Sequence, residues 1–275
     1  MEEPGLRFHR LAASIASILC VLLLGCSTLG LGAKGTERIQ QSGQLRVGMA
    51  GDYPPMNVRT ADGRLIGLDA DLAAALASIL EVELVLTEMP FSRLLDAVAD
   101  GEIDIAISGI TMTPRRNLKV AFAGPYYLSR KAILAKPELL EGVESVADLR
   151  GRSLRVAAVS GGTSEALVLR ALPDSEHVFE KDQAEAFAKV LYGEADVLVA
   201  DDPVIRFGLL RRPDAGLTFV ESRFSAEPIG IAISADDPLF VNLVENYLHS
   251  LEHIGLLDTL REKWFESPEW IGSLP

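Results

Sequence analysis

Two stretches of this sequence have the residue types of a catalytic centre, and two more have those of a charged binding site. His249-Ser250-Leu251-Glu252-His253 has the H-x-x-E-H spacing of one zinc-peptidase class, in which imidazoles one helical turn apart hold a metal. Gly161-Gly162-Thr163-Ser164-Glu165 places two hydroxyls and an acid where a glycine pair leads into a helix, a position that favours anions. An acid there with its pKa raised in a dry cleft would also serve as a general acid. Arg115 and Arg116 follow Thr111-Met112-Thr113-Pro114, and Asp201 and Asp202 precede Pro203. Each has a plainer reading. The arginines suit a solvated loop. The aspartates suit a helix N-cap ahead of proline in the first turn, with Asp202 as the cap and Asp201 left to face a ligand. Phe240, Leu243, Val244, Tyr247, Leu251 and Ile254 form an apolar helical stripe, which sends His249, Glu252 and His253 to the solvated face. With no third ligand in sight the zinc pattern is a coincidence, and no metal is expected. His9 and His177 stand apart, so no histidine-based nucleophile system is visible, nor is a phosphate-cradling glycine loop.

Composition narrows the classes. The chain has 275 residues, 48% hydrophobic and 24% charged, with a net charge of −13. That is too apolar for disorder and too broken by charge for a polytopic membrane protein. So acidic a chain repels phosphate backbones, which argues against a nucleic-acid partner. The first residues read as a leader: Arg7 and Arg10, an apolar run from Leu11 to Leu24, then Gly25-Cys26-Ser27. The run is short for a membrane span. Residues 1–25 are therefore expected to be a signal peptide and 26–35 a flexible tether. Cys20 would leave with the leader, so Cys26 would remain the sole cysteine, with neither a disulfide nor a thiolate metal site.

The elements that must position these groups alternate as βα units. Strands are expected at Leu45–Met49, Glu83–Thr87, Ile103–Ile107, Leu154–Val159, Val197–Ala200 and Ile229–Ile233. Helices are expected at Asp69–Leu80, Phe91–Asp100, Thr163–Leu172, Gln183–Tyr192, Pro238–Ile254 and Leu256–Phe265. Two such series in about 240 residues suggest two domains. Ligands of open α/β sheets sit beyond the strand carboxyl ends, so two facing domains make a cleft. No internal sequence repeat is apparent.

A run of ordered motifs adds a resemblance: Leu45-Arg46-Val47-Gly48, Asp52-Tyr53-Pro54-Pro55, Gly67-Leu68-Asp69, Gly101-Glu102-Ile103-Asp104, Thr111-Met112-Thr113-Pro114-Arg115-Arg116, Gly124-Pro125-Tyr126-Tyr127, Asp148-Leu149-Arg150-Gly151, Gly161-Gly162-Thr163-Ser164-Glu165 and Asp196 to Asp201. In this order and spacing they resemble the family 3 extracellular solute-binding proteins, receptors of polar amino-acid importers, from about Leu45 to Phe265. The resemblance implies an α/β fold of periplasmic-binding-protein type II, each lobe a central β-sheet flanked by helices. Lobe 1 would be 36–128 plus 229–275 and lobe 2 129–228, with a hinge near Leu128-Ser129 and Pro228-Ile229. It implies Arg116 as the guanidinium for a ligand α-carboxylate, with Ser108, Gly109 and Thr111 beside it and Thr163 and Ser164 donating from the second lobe. Asp201 would accept the α-ammonium, and Tyr53 and Phe91 would wall the ligand side chain. Leu23-Leu24-Gly25-Cys26 resembles a lipobox, which implies lipidation at Cys26 and a place on the periplasmic or cell-surface face of the bacterial membrane. The implied partners are an amino acid and ABC permease subunits, with a monomeric chain and no cofactor. Cation-selective relatives often carry an acid where this chain has Ala50, which argues against Lys, Arg or His as ligand. Met56 stands where many have an aromatic, which implies a softer pocket wall. The same fold also carries cyclohexadienyl (arogenate or prephenate) dehydratases, in which case Glu165 is the candidate general acid. Sensing without transport is a further alternative.

Overall fold

The computed structural model describes residues 35–267 and 269–274, those of 223–225 by backbone alone. The leader, Cys20, Cys26 and all but the last residue of the tether lie outside them. The chain runs α1 (Gly35–Ser42), β1 (Gln44–Met49), β2 (Asp52–Tyr53), β3 (Asn57–Arg59), β4 (Leu65–Ile66), α2 (Leu68–Ile79), β5 (Glu83–Glu88), α3 (Leu94–Ala99), β6 (Ile105–Thr111), α4 (Pro114–Asn117) and β7 (Ala121–Ala135). It continues through β8 (Arg155–Val159), α5 (Thr163–Ala171), β9 (Glu176–Glu180), α6 (Gln183–Leu191), β10 (Val197–Asp201), α7 (Asp202–Arg211), β11 (Thr218–Ile233), α8 (Pro238–His253) and α9 (Leu256–Arg261).

The long strands β7 and β11 tie the two halves together. Their antiparallel ladder runs from Phe122↔Ala232 and Ala121↔Ile233 at one end to Ala135↔Thr218 at the other. Around one end lie β6, β1 and β5, and around the other β10, β8 and β9, giving the order β5-β1-β6-β11-β7-β10-β8-β9. The pairs β1–β5, β1–β6, β8–β9 and β8–β10 are parallel, as βα crossovers require. Each half has its own apolar core: Leu45, Leu72, Ile107 and Phe240 pack in the first, Val156, Val168 and Val199 in the second. The fold is the two-lobed α/β architecture expected from the sequence.

One device occurs in both lobes. Asp104 accepts from the backbone N–H of Arg46 at 2.7 Å and from its Nη2 at 3.1 Å, while Gly101 O accepts from the same guanidinium at 2.9 Å. In the second lobe Asp196 accepts from the Arg155 N–H at 2.8 Å and from its Nη2 at 2.7 Å, with Glu194 O at 2.8 Å from Nη1. The residues are Leu45-Arg46-Val47 with Gly101-Glu102-Ile103-Asp104, and Leu154-Arg155-Val156 with Gly193-Glu194-Ala195-Asp196. The sequence therefore does hold an internal correspondence, hidden because matches of three and four residues with unequal spacers fall below any visible period.

Several boundaries differ from expectation. Strand β6 begins at Ile105 and extends to Thr111, and Phe91–Arg93 is a 3-10 turn ahead of α3. Helix α9 ends at Arg261 and passes into a wider π turn over Glu262–Glu266. Asp202 is the first residue of α7 and Asp201 its N-cap by position, one place earlier than the proline signal suggested. Asp202 accepts from the Arg130 N–H at 3.3 Å instead.

Candidate functional site

Tyr53, the first candidate, is placed by a small buried network. Asp69 is fully buried, receiving Tyr126 Oη at 2.6 Å and Asn57 Nδ2 at 2.7 Å. Asn57 Oδ1 in turn accepts the Gly51 N–H at 2.8 Å, which fixes the turn into β2. Burial pushes the Asp69 carboxyl up to about 6 although Tyr126 and Asn57 pull it down. Met56 is fully buried in the first core, so it is a packing residue and not a wall of the pocket. The Tyr53 ring lies over Gly109, where φ is +58° and a Cβ would stand 2.1 Å from the ring carbon Cε1. Only glycine fits there without moving the ring.

The two lobes meet around a cavity of about 40 Å3 lined by Asp52, Tyr53, Phe91, Gly109, Arg116, Lys131, Val159, Gly162, Thr163, Ser164, Gln183 and Asp201. Seven of the nine sequence candidates for the ligand site are in that lining. Thr111 is adjacent: its backbone carbonyl accepts Arg116 Nη1 at 2.9 Å. Ser108 is not in the lining; it is fully buried and its hydroxyl accepts the Ala50 N–H at 2.9 Å. The side chain therefore supports the strand-end loop, since period two turns it inward from β6.

Arg116 spans the lobes. Its Nη2 donates to Gly161 O at 3.4 Å and its guanidinium carbon lies 5.4 Å from the Phe91 ring centroid. Burial lowers its pKa while the charges of Glu227 and Asp201 act the other way. Asp201, 8% exposed, accepts from Tyr53 Oη at 2.8 Å and from Lys131 Nζ at 2.6 Å. Lys131 is 1% exposed and stands 3.1 Å from Glu227 Oε2. That same oxygen accepts the hydroxyls of Thr111 at 2.8 Å and Thr163 at 2.7 Å. Sequence reasoning missed Lys131 and Glu227. A signal for Lys131 existed: in Leu128-Ser129-Arg130-Lys131 alternation puts Ser129 and Lys131 on one face, and both are buried while Leu128 and Arg130 are exposed. Glu227, ahead of Pro228 in a polar stretch, offered none.

Glu165 bends back so that its Oε2 accepts the Gly161 N–H at 2.5 Å, and it lines an outer groove of about 1370 Å3 with Arg115, Arg150 and Arg170 instead of the inner cavity. On α8, His249 and His253 are exposed and Glu252 pairs with Arg261 at 3.4 Å. Among the described residues no group of three or more His, Cys, Asp or Glu is arranged to hold a metal, and no helix is long and apolar enough to cross a membrane.

Asp52, on the first lobe, meets the second lobe at the start of α6. Burial and the nearby Asp182 raise its carboxyl to about 6, against the pull of the Gln183 amide. The folded protein thus holds this proton more tightly than the unfolded chain. Below the unfolded pKa the group has no effect; as pH rises toward 6 it progressively costs stability, and above 6 the cost is constant. Asp52→Asn is expected to leave stability unchanged near pH 3 and to add about 1–2 kcal/mol near pH 7 after allowing for solvent at this half-buried site, a rise of roughly 2–8 °C in melting temperature. Melting curves of both proteins at the two pH values check the sign.

Two α/β lobes joined by two long strands, with converging charges between them, define a two-lobed ligand-binding protein. The chain belongs to the bacterial extracellular solute-binding proteins, family 3, whose sequence profile matches residues 45–267. It is 27% identical over 252 residues to the cyclohexadienyl dehydratase of Pseudomonas aeruginosa, covering 92% of this chain and 94% of that one. It is 26% identical over 251 residues to the ABC transporter arginine-binding protein 1 of Escherichia coli, covering 90% and 98%. Among solved structures it resembles the ancestral amino acid-binding protein AncCDT-1, a precursor of cyclohexadienyl dehydratase, at 35% identity and a TM-score of 0.76, over 83% of this chain and 98% of that one. A binding component of an ABC transporter from Wolinella succinogenes, complexed with lysine, aligns at 32% identity and a TM-score of 0.80, over 84% and 99%.

Proposed function

We propose that this protein captures a polar α-amino acid between its lobes and delivers it to an ABC-type importer. The observation that carries the reading is the convergence of Arg116, Thr163, Ser164 and Asp201 from both lobes on one small cavity. In this reading Arg116 takes the α-carboxylate, Asp201 the α-ammonium through its network with Lys131, and Tyr53 and Phe91 clasp the side chain. Charges that are satisfied only when both lobes engage the ligand shift the population toward closure. The hinge falls where β7 and β11 pass between the lobes, near Leu128-Ser129 and Pro228-Ile229. The chain works as a monomer, tethered by lipid on Cys26 after removal of residues 1–25.

A basic amino acid ranks first, against the expectation drawn from Ala50. Around the cavity Arg116 and Lys131 face Asp201, Glu227 and Asp52, with Asp182 beyond. A zwitterion leaves that acidic excess in place, whereas a cationic side chain near Asp52 offsets it. The arginine-binding and lysine-complexed relatives support the same choice. The second reading is a cyclohexadienyl dehydratase with Glu165 as general acid, favoured by the Pseudomonas aeruginosa relative; the hydrogen bond from the Gly161 amide to Glu165 weighs against it.

A thermal-shift screen with the twenty amino acids, prephenate and arogenate tests both. Ligand at a thousand times its Kd adds about 4 kcal/mol, or roughly 8–16 °C at this size. A shift from arginine, lysine or another amino acid supports the receptor. A response to prephenate or arogenate alone, with turnover lost in Glu165→Gln, replaces it by the dehydratase.

A further inference from the structure

Glu227 is assigned no ligand atom in the amino-acid reading and enters it only through its charge, yet its partners Thr111, Thr163 and Lys131 belong to the site or border it. Its Oε2 receives Thr111 Oγ1 at 2.8 Å from the first lobe and Thr163 Oγ1 at 2.7 Å from the first turn of α5 in the second, with Lys131 Nζ at 3.1 Å. It is also the first of the two anions acting on Arg116. Two hydroxyls, one of them in the first turn of a helix, and one ammonium on a single oxygen, with a guanidinium near enough to feel its charge, are what a bound carboxylate requires. Glu227 lines the outer groove of about 1370 Å3 together with Arg116, Lys131 and Thr163, and the latter three also line the inner cavity of about 40 Å3, so the carboxylate stands on the groove side of residues that both spaces share.

We propose that Glu227 is a resident carboxylate that occupies the carboxylate subsite of this protein, holds the lobes together without ligand, and is displaced when an amino acid binds. The proposal rests on the reading of this cleft as an amino-acid site. It gives the residue a definite effect on specificity. A ligand must replace the contacts of Glu227 with Thr111, Thr163 and Lys131, so a weak carboxylate ligand is rejected by competition within the protein. Placement on β11 suits the role. Between Glu221 and Ala226 the β7–β11 register shifts, so the backbone just before Glu227 departs from the regular ladder where the strand crosses between lobes.

The test compares the wild-type protein with Glu227→Ala and Glu227→Gln. Sodium formate serves as a substitute carboxylate, with sodium chloride at equal ionic strength as control. Formate is expected to raise the melting temperature of Glu227→Ala by several degrees and to leave wild type unmoved, with Glu227→Gln between them. Small-angle scattering in the absence of amino acids is expected to give a larger radius of gyration for Glu227→Ala than for wild type. In isothermal titration with L-arginine, the Kd of Glu227→Ala is expected to fall roughly tenfold. Equal formate responses in all three proteins, unchanged radii, or weaker arginine binding by Glu227→Ala would each overturn the proposal; weaker binding would mean that Glu227 contacts the ligand's ammonium instead. If arginine binds none of the proteins, the arginine assignment fails while the formate and scattering results still decide the role of Glu227. Should Glu227→Ala not fold, Glu227→Gln carries the same comparisons with smaller differences.

Discussion

Arg116→Ala is expected to weaken amino-acid binding at least a hundredfold while the unliganded protein still folds. The guanidinium is half-buried and makes two backbone contacts, to Thr111 O at 2.9 Å and Gly161 O at 3.4 Å. Those contacts aim its remaining N–H groups into the cavity, and the Phe91 ring lies against one face, 5.4 Å from centroid to guanidinium carbon. Truncating one partner of a desolvated, hydrogen-bonded charge pair costs ~2–5 kcal/mol of binding, the upper part of which is the cost of burying the other charge alone. For a ligand carboxylate between Thr163 and Arg116 no second guanidinium lines the inner cavity among the described residues, so the upper part of that range applies. Arg116→Lys separates charge from geometry. An ammonium keeps the sign but neither the planar fork nor the stacking on Phe91, so it is expected to recover only part of the loss. Isothermal titration of all three proteins with L-arginine measures this. A Kd for Arg116→Ala within threefold of wild type would remove Arg116 from the ligand site; full recovery by lysine would show that charge alone matters.

How much of this was legible depends on which physical signal each part carried. The cavity residues Tyr53, Arg116, Thr163, Ser164 and Asp201 sit at strand ends and helix starts within ordered motifs, and these are local patterns. The βα units also stood out, because β1, β5, β8 and β10 are short apolar runs flanked by turn residues. Of the two long strands only the apolar end of β11, Ile229–Ile233, did. β7 contains Gly124-Pro125 and then Ser129-Arg130-Lys131, and β11 contains Glu221 through Pro228. Their middle sections pass through the cleft, where polar side chains replace the apolar period that marks a strand. For the same reason Lys131 and Glu227 were invisible: what makes them part of the site is a partner 70 or 64 residues away, Asp201 or Thr163. Ser108 is the opposite case. It lies on β6 between two of the ordered motifs, but the alternation of the strand turns its hydroxyl inward to the Ala50 N–H, away from the cavity. Asp52 was a motif residue without an assigned role; its proximity to Asp182 exists only once the lobes are brought together.

Lys131→Met is expected to cost the unliganded protein ~3–5 kcal/mol, a fall of about 6–20 °C in melting temperature. The lysine is 1% exposed and neutralises two carboxylates, Asp201 at 2.6 Å and Glu227 at 3.1 Å. Methionine matches its volume, so packing is largely kept and the loss isolates the charge. What remains is two largely buried anions close together. Asp201 keeps Tyr53 Oη at 2.8 Å and Glu227 keeps the two threonine hydroxyls, and the cation left acting on both among the described residues is Arg116. Two consequences separate this account from a simple loss of fit. Adding Asp201→Asn to Lys131→Met removes one of the stranded charges, so the double variant is expected to be more stable than Lys131→Met alone, with a coupling of about 1–3 kcal/mol. A cation supplied by a ligand should do the same. L-arginine at saturation is therefore expected to raise the melting temperature of Lys131→Met by more than it raises wild type, because the ligand ammonium takes the place that the Lys131 ammonium holds against Asp201. If the single variant melts within 2 °C of wild type, or if Asp201→Asn adds its full cost on top, the lysine is not the counter-charge of this cleft.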